Sequence, residues 1–103
     1  MIIARWSIDA KFGHKSVVVD SLKKWSTDIG SQIGWTPDNS RLLTGSIGMH
    51  ESTVQSEVML NDLAELSAAW DKLATIELHK QWSKDLEPYI VSGSPRWEVL
   101  RLL

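Results

Sequence analysis

Three polar side chains, Arg5, Ser7 and Glu57, are the best candidates for chemistry in this 103-residue chain. Arg5 and Ser7 alternate along one predicted strand and Glu57 lies on a second, so all three are expected on one face of a sheet. There Arg5 could hold an anionic or carbonyl group that Ser7 and Glu57 orient, and an enclosed carboxyl with a raised pKa could act as a base. The alternative is that Arg5 and Glu57 form a structural ion pair or a contact across a dimer.

The three histidines, His14, His50 and His79, come from different predicted elements. They form no i,i+4 pair and have no accompanying acidic spacing, so we expect no metal site. His14 is interpreted as a helix-end residue against the sheet edge. The glycines likewise form no phosphate-binding loop. The sequence itself therefore predicts no metal and no cofactor.

Tryptophan is abundant, with six residues in the chain. Three are explained as core by their places on helix stripes or a strand face: Trp6, Trp25 and Trp70. The other three can line a cavity, and with two further residues they give the predicted ligand-binding set: Trp35, Met59, His79, Trp82 and Trp97. An aromatic-walled pocket favours a flat, largely apolar ligand, although a dimer interface would use the same residues.

The elements that position these residues follow from hydrophobic periodicity. One helix of about 18 residues ends at Gly34, and a second begins after Asp62 and either continues past a break near Thr75 or is followed by a short helix to Leu86,. The predicted strands cover residues 2–9, 41–48, 54–61 and 96–103. This order predicts an α+β, ferredoxin-like βαββαβ fold, with a four-stranded antiparallel sheet and the helices on one face.

Several residues define the ends of these elements. Asp62 or Asn61 is expected to cap the second helix, with Glu65 completing a box-like cap,. Two glycines in the second strand, Gly45 and Gly48, indicate a bulge or the close approach of another backbone. The apolar stripe of the second helix is predicted at Leu63, Leu66, Trp70 and Leu73.

Length and charge limit the classes of function. A chain of 103 residues predicts one domain, residues 1–103,. The net charge of −2 offers no basic face for nucleic acid and no polybasic segment for a membrane,. There is no cysteine and no apolar run long enough to span a membrane,. Arg5 lies where a signal peptide would need its apolar core, so we expect none,. We therefore expect a cytoplasmic protein without a nucleic-acid or membrane partner.

Several stretches together resemble the dimeric α/β-barrel superfamily, and most closely its NIPSNAP-like members. The stretches are Leu42–Gly48, Ser56–Trp70, Trp82–Leu86 and Gly93–Arg101. The resemblance implies a homodimer in which two sheets pack into a barrel, with cavities between sheet and helices or between the sheets. A half-apolar open sheet face would independently favour such a dimer.

Members of this superfamily include cofactor-independent monooxygenases acting on polyketide quinones, haem-degrading monooxygenases and isomerases. His79 lies where the haem-degrading members carry the histidine that ligates iron, with Trp70 upstream. Those enzymes also use an asparagine on the first strand, where this chain offers Ser7 and Asp9. Two hypotheses result: a homodimeric protein that binds a small apolar or aromatic molecule, or a small cofactor-independent monooxygenase or isomerase using Arg5, Ser7 and Glu57.

Overall fold

A computed structural model describes all 103 residues and has the predicted ferredoxin-like α+β fold. The sheet order is β2-β3-β1-β4, and every neighbouring pair is antiparallel. No helix has both the length and the apolar character that a membrane span requires. The elements are β1 (Ile2–Asp9), α1 (Lys15–Asp28), β2 (Ser40–Thr44), β3 (Thr53–Leu60), α2 (Leu63–Leu73), α3 (Glu77–Leu86) and β4 (Arg96–Arg101), with 3₁₀ helices at Gly30–Ile33 and Glu87–Tyr89.

The two faces of the sheet differ as strand alternation predicts. Ala4 and Ile8 of β1 are fully buried among apolar residues on the helix side. The opposite face, here called the open face, carries Arg5, Ser7 and Glu57. Arg5 lies directly beside Glu57 in the β1–β3 pairing. The predicted division of the two faces is therefore confirmed.

The junction between β3 and α2 is fixed by side-chain caps. Asp62 accepts a hydrogen bond from the Glu65 backbone N–H at 3.0 Å, which satisfies a free amide of the first turn,. The Glu65 carboxylate reaches back to the backbone N–H of Asn61 at 2.9 Å. A box-like cap thus forms as predicted, but the Glu65 side chain binds the backbone N–H of Asn61, the residue before the N-cap Asp62, instead of that of Asp62.

The second strand is shorter than predicted and ends at Thr44 instead of Gly48. A Cβ at Gly45 would lie 1.9 Å from the backbone oxygen of His50, so the backbones on the two sides of the β2–β3 hairpin are in contact there. Gly45 therefore marks the predicted close approach of another backbone. The chain leaves the sheet after this contact and turns through Gly48, which has φ = 82°.

The helical segments also differ in detail from the predicted stripes. The first helix has 14 residues and continues as a 3₁₀ turn that ends at Gly34, with φ = 80°. In α2 the buried positions are Leu66, Ala69 and Leu73. Leu63 and Trp70 are 62% and 41% exposed, so their assignment to the core stripe was wrong. A small Ala69 faces the core, and Trp70, one residue further round the helix, lies at its rim.

Candidate functional site

A cavity of about 320 Å³ between the sheet and the helices is the main candidate site, and we call it the tryptophan cavity. Helices α1, α2 and α3 and strands β1, β3 and β4 all contribute to its wall. Its few polar side chains are Ser56, His79 and Ser83. All the tryptophans of the chain line it: Trp6, Trp25, Trp35, Trp70, Trp82 and Trp97.

The tryptophans are packed in two groups. In the larger group Trp25 is central, with ring centroids 5.9 Å from both Trp35 and Trp82, and Trp82 is 6.1 Å from Trp6. In the smaller group Trp70 meets Trp97 edge to face at 5.3 Å. These tilted and edge-on contacts are the favoured arrangements of aromatic rings, so the wall holds its shape without a ligand.

Hydrogen bonds fix two of the indoles. The Trp82 indole N–H donates to the Ser21 hydroxyl at 2.8 Å, which ties α3 to α1. The Trp25 indole N–H donates to Nδ1 of His79 at 3.0 Å. His79 also stacks on Trp82, with an interplanar angle of 20°. The central part of the wall is therefore held by polar as well as apolar contacts.

His79 is the titratable group of the cavity. Desolvation by burial lowers its pKa below the ordinary value of 6.5, so the ring is neutral at pH 7,. Because Nδ1 accepts the Trp25 bond, the ring proton is on Nε2,. His79 thus presents a hydrogen-bond donor, suited to a carbonyl or ether oxygen of a ligand.

The arrangement does not fit a haem. Iron ligation through Nε2 would move the proton to Nδ1, where it would oppose the Trp25 indole N–H,. Ser7 and Asp9, the first-strand candidates to replace the asparagine of haem-degrading enzymes, are on the open face. The surroundings of His79 therefore do not support the role of an iron ligand.

Glu57 is the centre of a separate polar cluster on the open face. Its carboxylate is 3% exposed and lies between two guanidinium groups, at 2.9 Å from Arg5 Nε and 2.5 Å from Arg41 Nε. Burial alone raises its pKa, but the hydrogen bonds and charges of Arg5 and Arg41 outweigh burial and hold the pKa below its ordinary value,. The raised pKa that a catalytic role for Glu57 would need is therefore not supported, and a carboxylate held in this way is a poor base,.

Ser7 does not join this cluster. It is fully buried and accepts a hydrogen bond from the Gln55 amide at 3.1 Å. Because Arg5, Ser7 and Glu57 lie on the opposite side of the sheet from the tryptophan cavity, they cannot contact a molecule bound there. The ion pair between Arg5 and Glu57 is present, as the structural interpretation of these residues predicted.

The predicted ligand-binding set is divided between the two faces. Trp35, His79, Trp82 and Trp97 line the tryptophan cavity, whereas Met59 lies on the open face and is 37% exposed. Three further tryptophans and two serines line the cavity although the sequence patterns did not predict it: Trp6, Trp25, Trp70, Ser56 and Ser83. Ser56 had a signal, since it is a polar residue on an otherwise apolar strand face.

The other histidines are remote from this site. His14 precedes α1 and packs on Tyr89 with ring centroids 5.4 Å apart. His50 lies in the exposed β2–β3 loop. No group of three histidine, aspartate or glutamate side chains in the chain is arranged to hold a metal ion.

Comparisons with known proteins support the fold. No protein-family model and no curated protein matches the sequence. Among solved structures, a NIPSNAP family protein from Agrobacterium tumefaciens has a TM-score of 0.80 and 16% identity, covering 99% of this chain and 92% of that one. An uncharacterised NIPSNAP domain protein from Burkholderia xenovorans has a TM-score of 0.71 and 17% identity, with 100% and 95% covered.

A more distant neighbour is described as an antibiotic biosynthesis monooxygenase. Its TM-score is 0.68 at 9% identity, and 100% of this chain and 99% of that one are covered. At these identities the likenesses establish the fold alone. The structural neighbours of this ferredoxin-like chain are thus NIPSNAP family proteins and antibiotic-biosynthesis-monooxygenase-like proteins, in agreement with the resemblance in its sequence.

Proposed function

We propose that this chain is a homodimeric binding protein whose tryptophan cavity holds a small, flat, largely apolar molecule. The observation that carries the proposal is the convergence of all six tryptophans on one cavity that contains a neutral histidine. Indole walls favour planar ligands because they offer large apolar faces at little cost in conformational entropy. The Nε2 proton of His79 adds a preference for a ligand with a hydrogen-bond acceptor.

The size of the cavity limits the ligand. A volume of about 320 Å³ lies near the lower end of the range for small-molecule sites, about 300–1,000 Å³,. One fused pair of rings suits this space better than an extended polycyclic molecule. 4-Methylumbelliferone, a two-ring coumarin with a lactone carbonyl, has the expected shape and acceptor and serves as a probe.

Filling the cavity tests the proposal directly. Ala74 lines the cavity, and Ala74→Phe should lower the affinity for 4-methylumbelliferone at least tenfold in isothermal titration calorimetry. Ala64→Phe, at an exposed position of α2 outside the cavity, is the matched control and should bind like the wild type. No binding to the wild type, or equal binding to both variants, would contradict the proposal.

A small cofactor-independent monooxygenase is the second candidate, and the His79 donor is the observation that favours it. A positioned N–H in an apolar cavity can stabilise the negative charge that develops on a substrate oxygen when a neighbouring carbon releases its proton to water. In this candidate His79 is the group that acts on the substrate. Arg5, Ser7 and Glu57 have no part in it, because they face away from the cavity. Oxygen uptake with 2-tetralone, a two-ring ketone of the size that suits the cavity, compared between wild type and His79→Phe, tests this candidate; equal rates would contradict a role for His79 in the reaction.

The homodimer is proposed from the open face. The helices cover only the other side of the sheet, and apolar side chains on the open face remain partly exposed: Ile3, Leu43, Met59 and Leu100. They surround the arginine–glutamate cluster, and a second copy would cover them.

A further inference from the structure

The tryptophan cavity carries no charge on its wall. Its lining includes no aspartate, glutamate, lysine or arginine, and its one titratable group, His79, is neutral at pH 7. The charged cluster of Arg5, Arg41 and Glu57 lies on the other side of the sheet and cannot reach a molecule bound in the cavity. Burying a charge without a partner is costly, so a ligand enters this cavity in an uncharged form.

The three polar side chains of the wall come from the two layers of the fold. Ser56 projects from β3 on the helix side of the sheet, between Trp6 of β1 and Leu42 of β2 in the strand pairings. His79 and Ser83 lie one turn apart on α3, in the helix layer,. A ligand therefore meets hydrogen-bonding groups on two opposite walls, and apolar side chains form the rest of the lining.

Ser56 is unusual for its place in the strand. Its neighbours on the same strand face, Val54 and Val58, are apolar and almost fully buried, whereas Ser56 is half-buried. The hydrogen bonds of the chain leave the Ser56 hydroxyl free, and it is open to the cavity instead of being sealed in the core. A free hydroxyl both donates and accepts, so it suits a hydroxyl group of a ligand.

The opposite wall has a narrower preference. Nδ1 of His79 is occupied by the Trp25 indole N–H, so the ring offers a ligand only its Nε2–H,. This donor needs an acceptor such as a carbonyl oxygen, whereas the Ser56 hydroxyl on the sheet can also bind a donor. The two walls therefore orient a ligand with its carbonyl towards α3 and its hydroxyl towards β3.

We infer that the tryptophan cavity selects an uncharged aromatic compound with an oxygen function at each of two opposite ends, a carbonyl that binds His79 and a phenolic hydroxyl that binds Ser56. This inference rests on the proposed binding function and names the class of its ligand, neutral phenols that also carry a carbonyl group.

Isothermal titration calorimetry with two probes tests the hydroxyl part of this inference. 4-Methylumbelliferone has a phenolic hydroxyl at the end of the ring system away from the lactone, and 4-methylcoumarin is the same molecule without that hydroxyl. The wild type should bind 4-methylumbelliferone about threefold to tenfold more tightly than 4-methylcoumarin, which is the effect of one net hydrogen bond. In Ser56→Ala this advantage should disappear.

The matched control is Ser83→Ala, which removes a hydroxyl from the helix wall of the same cavity. It should preserve the ratio of the two affinities. If the advantage of the phenolic hydroxyl survives in Ser56→Ala, or is lost in Ser83→Ala instead, the assignment of this hydroxyl to Ser56 is wrong.

Ionising the probe tests the requirement for an uncharged ligand. Raising the pH from about 7 to about 9.5 converts the phenol of 4-methylumbelliferone to a phenolate, leaves 4-methylcoumarin uncharged and titrates no group in the cavity wall,. The affinity of the wild type for 4-methylumbelliferone should fall at least tenfold, and that for 4-methylcoumarin should stay the same. Equal or tighter binding of the phenolate would overturn the uncharged assignment.

The outcomes distinguish this inference from the proposed function. If 4-methylumbelliferone binds the wild type but Ser56→Ala keeps the advantage over 4-methylcoumarin, the phenol class is wrong and the binding function stands. If neither probe binds the wild type, the proposed function fails, and this inference fails with it.

Discussion

At the scale of single residues, His79 is the most informative side chain because it is both a structural acceptor and a ligand donor. Replacing it by phenylalanine keeps an aromatic ring against Trp82 but leaves the Trp25 indole N–H without its acceptor. Losing the partner of a largely buried donor costs about 1–3 kcal/mol. We expect a decrease of that size in the free energy of unfolding, measured by urea denaturation.

The same residue predicts a pH dependence of stability. Burial lowers the pKa of His79 in the folded state, so the unfolded chain takes up the proton first as the pH falls,. The contribution of neutral His79 to the free energy of unfolding is fully present above the unfolded pKa of 6.5. It decreases as the pH drops through 6.5 towards the lower pKa of the folded state,. The slope of unfolding free energy between pH 7.5 and 5 should become shallower in His79→Phe. It should stay as in the wild type in His50→Phe, which changes an exposed loop residue; equal slopes in all three proteins would refute this prediction.

Glu57 gives a pH dependence of the same sign in a more acidic range. Its pKa is held below its ordinary value, so its contribution to stability is present above the unfolded value of 4.5 and is lost as the pH falls below that value,. At pH 7, Glu57→Gln removes a buried charge from between Arg5 and Arg41 and should destabilise the protein by about 1.5–3 kcal/mol, the range for hydrogen bonds to a charged group. Glu51→Gln breaks an exposed pair with Lys15 and should cost less than about 0.5 kcal/mol,. Similar losses of unfolding free energy in the two variants would show that the buried Glu57 cluster stabilises the protein no more than an exposed ion pair does.

The sequence was informative about which residue types form the site and less so about which face each one occupies. Alternation along β1 and β3 correctly separated Arg5 and Glu57 from the apolar residues of these strands that face the helices. It could not show that Arg41 completes the cluster and reverses the expected pKa shift of Glu57, because that requires the register between β2 and β3. The Trp25–His79 bond joins residues 54 positions apart, and no local pattern predicts it.

At the scale of elements, the β2–β3 hairpin depends on Gly45. A Cβ at this position would lie 1.9 Å from the His50 oxygen and 2.5 Å from its carbonyl carbon, both backbone atoms. Gly45→Ala must therefore move one strand of the hairpin, and we expect a loss of about 3 kcal/mol in thermal or urea unfolding. Gly48→Ala is the comparison: it has no neighbour within 4 Å but a positive φ, and it should cost about 1 kcal/mol,. A smaller loss at Gly45 than at Gly48 would show that the hairpin adapts.

The order of the elements was predictable because period-two and period-3.6 patterns change at identifiable caps and turns. A break between α2 and α3 was one of the two predicted alternatives. The extended backbone of Ile76, with φ = −93° and ψ = 108°, separates the two helices. Helix orientation was less predictable. In α2 both Leu63–Leu66–Trp70 and Leu66–Ala69–Leu73 have helical spacing, and only packing decides which stripe is buried. Hydrophobicity alone favours a large tryptophan over a small alanine as the core residue, so the predicted stripe contains Trp70. In the structure Ala69 is buried and Trp70 contacts Trp97 at the cavity rim.

At the scale of the whole molecule, one row of charged residues crosses the open face. In register, Arg41 of β2 lies beside Glu57 of β3, Glu57 beside Arg5 of β1, and Arg5 beside Glu98 of β4. The charges alternate in sign across all four strands. A two-fold axis parallel to the strands, between Glu57 and Arg5, would reverse the order of the row in the second copy. Arg41 would then face Glu98 of the other copy and Glu57 would face Arg5, so each charge meets its opposite.

This self-complementarity leads to a prediction about assembly. Met59 is partly exposed beside the charged row, next to Ile3 in the β1–β3 pairing. Met59→Glu would bury an unpaired carboxylate in the proposed dimer, and a cost of several kcal/mol should convert it to monomer in sedimentation equilibrium at micromolar concentration. Leu78→Glu, at an exposed position of α3 on the helix side, should leave the dimer intact.

Because the tryptophan cavity lies within one chain, the Met59→Glu monomer should retain its near-ultraviolet tryptophan signal and its affinity for 4-methylumbelliferone. A monomeric wild type would remove the dimer and leave the cavity proposals standing, whereas a monomeric variant that no longer binds the probe would place part of the ligand site across the interface.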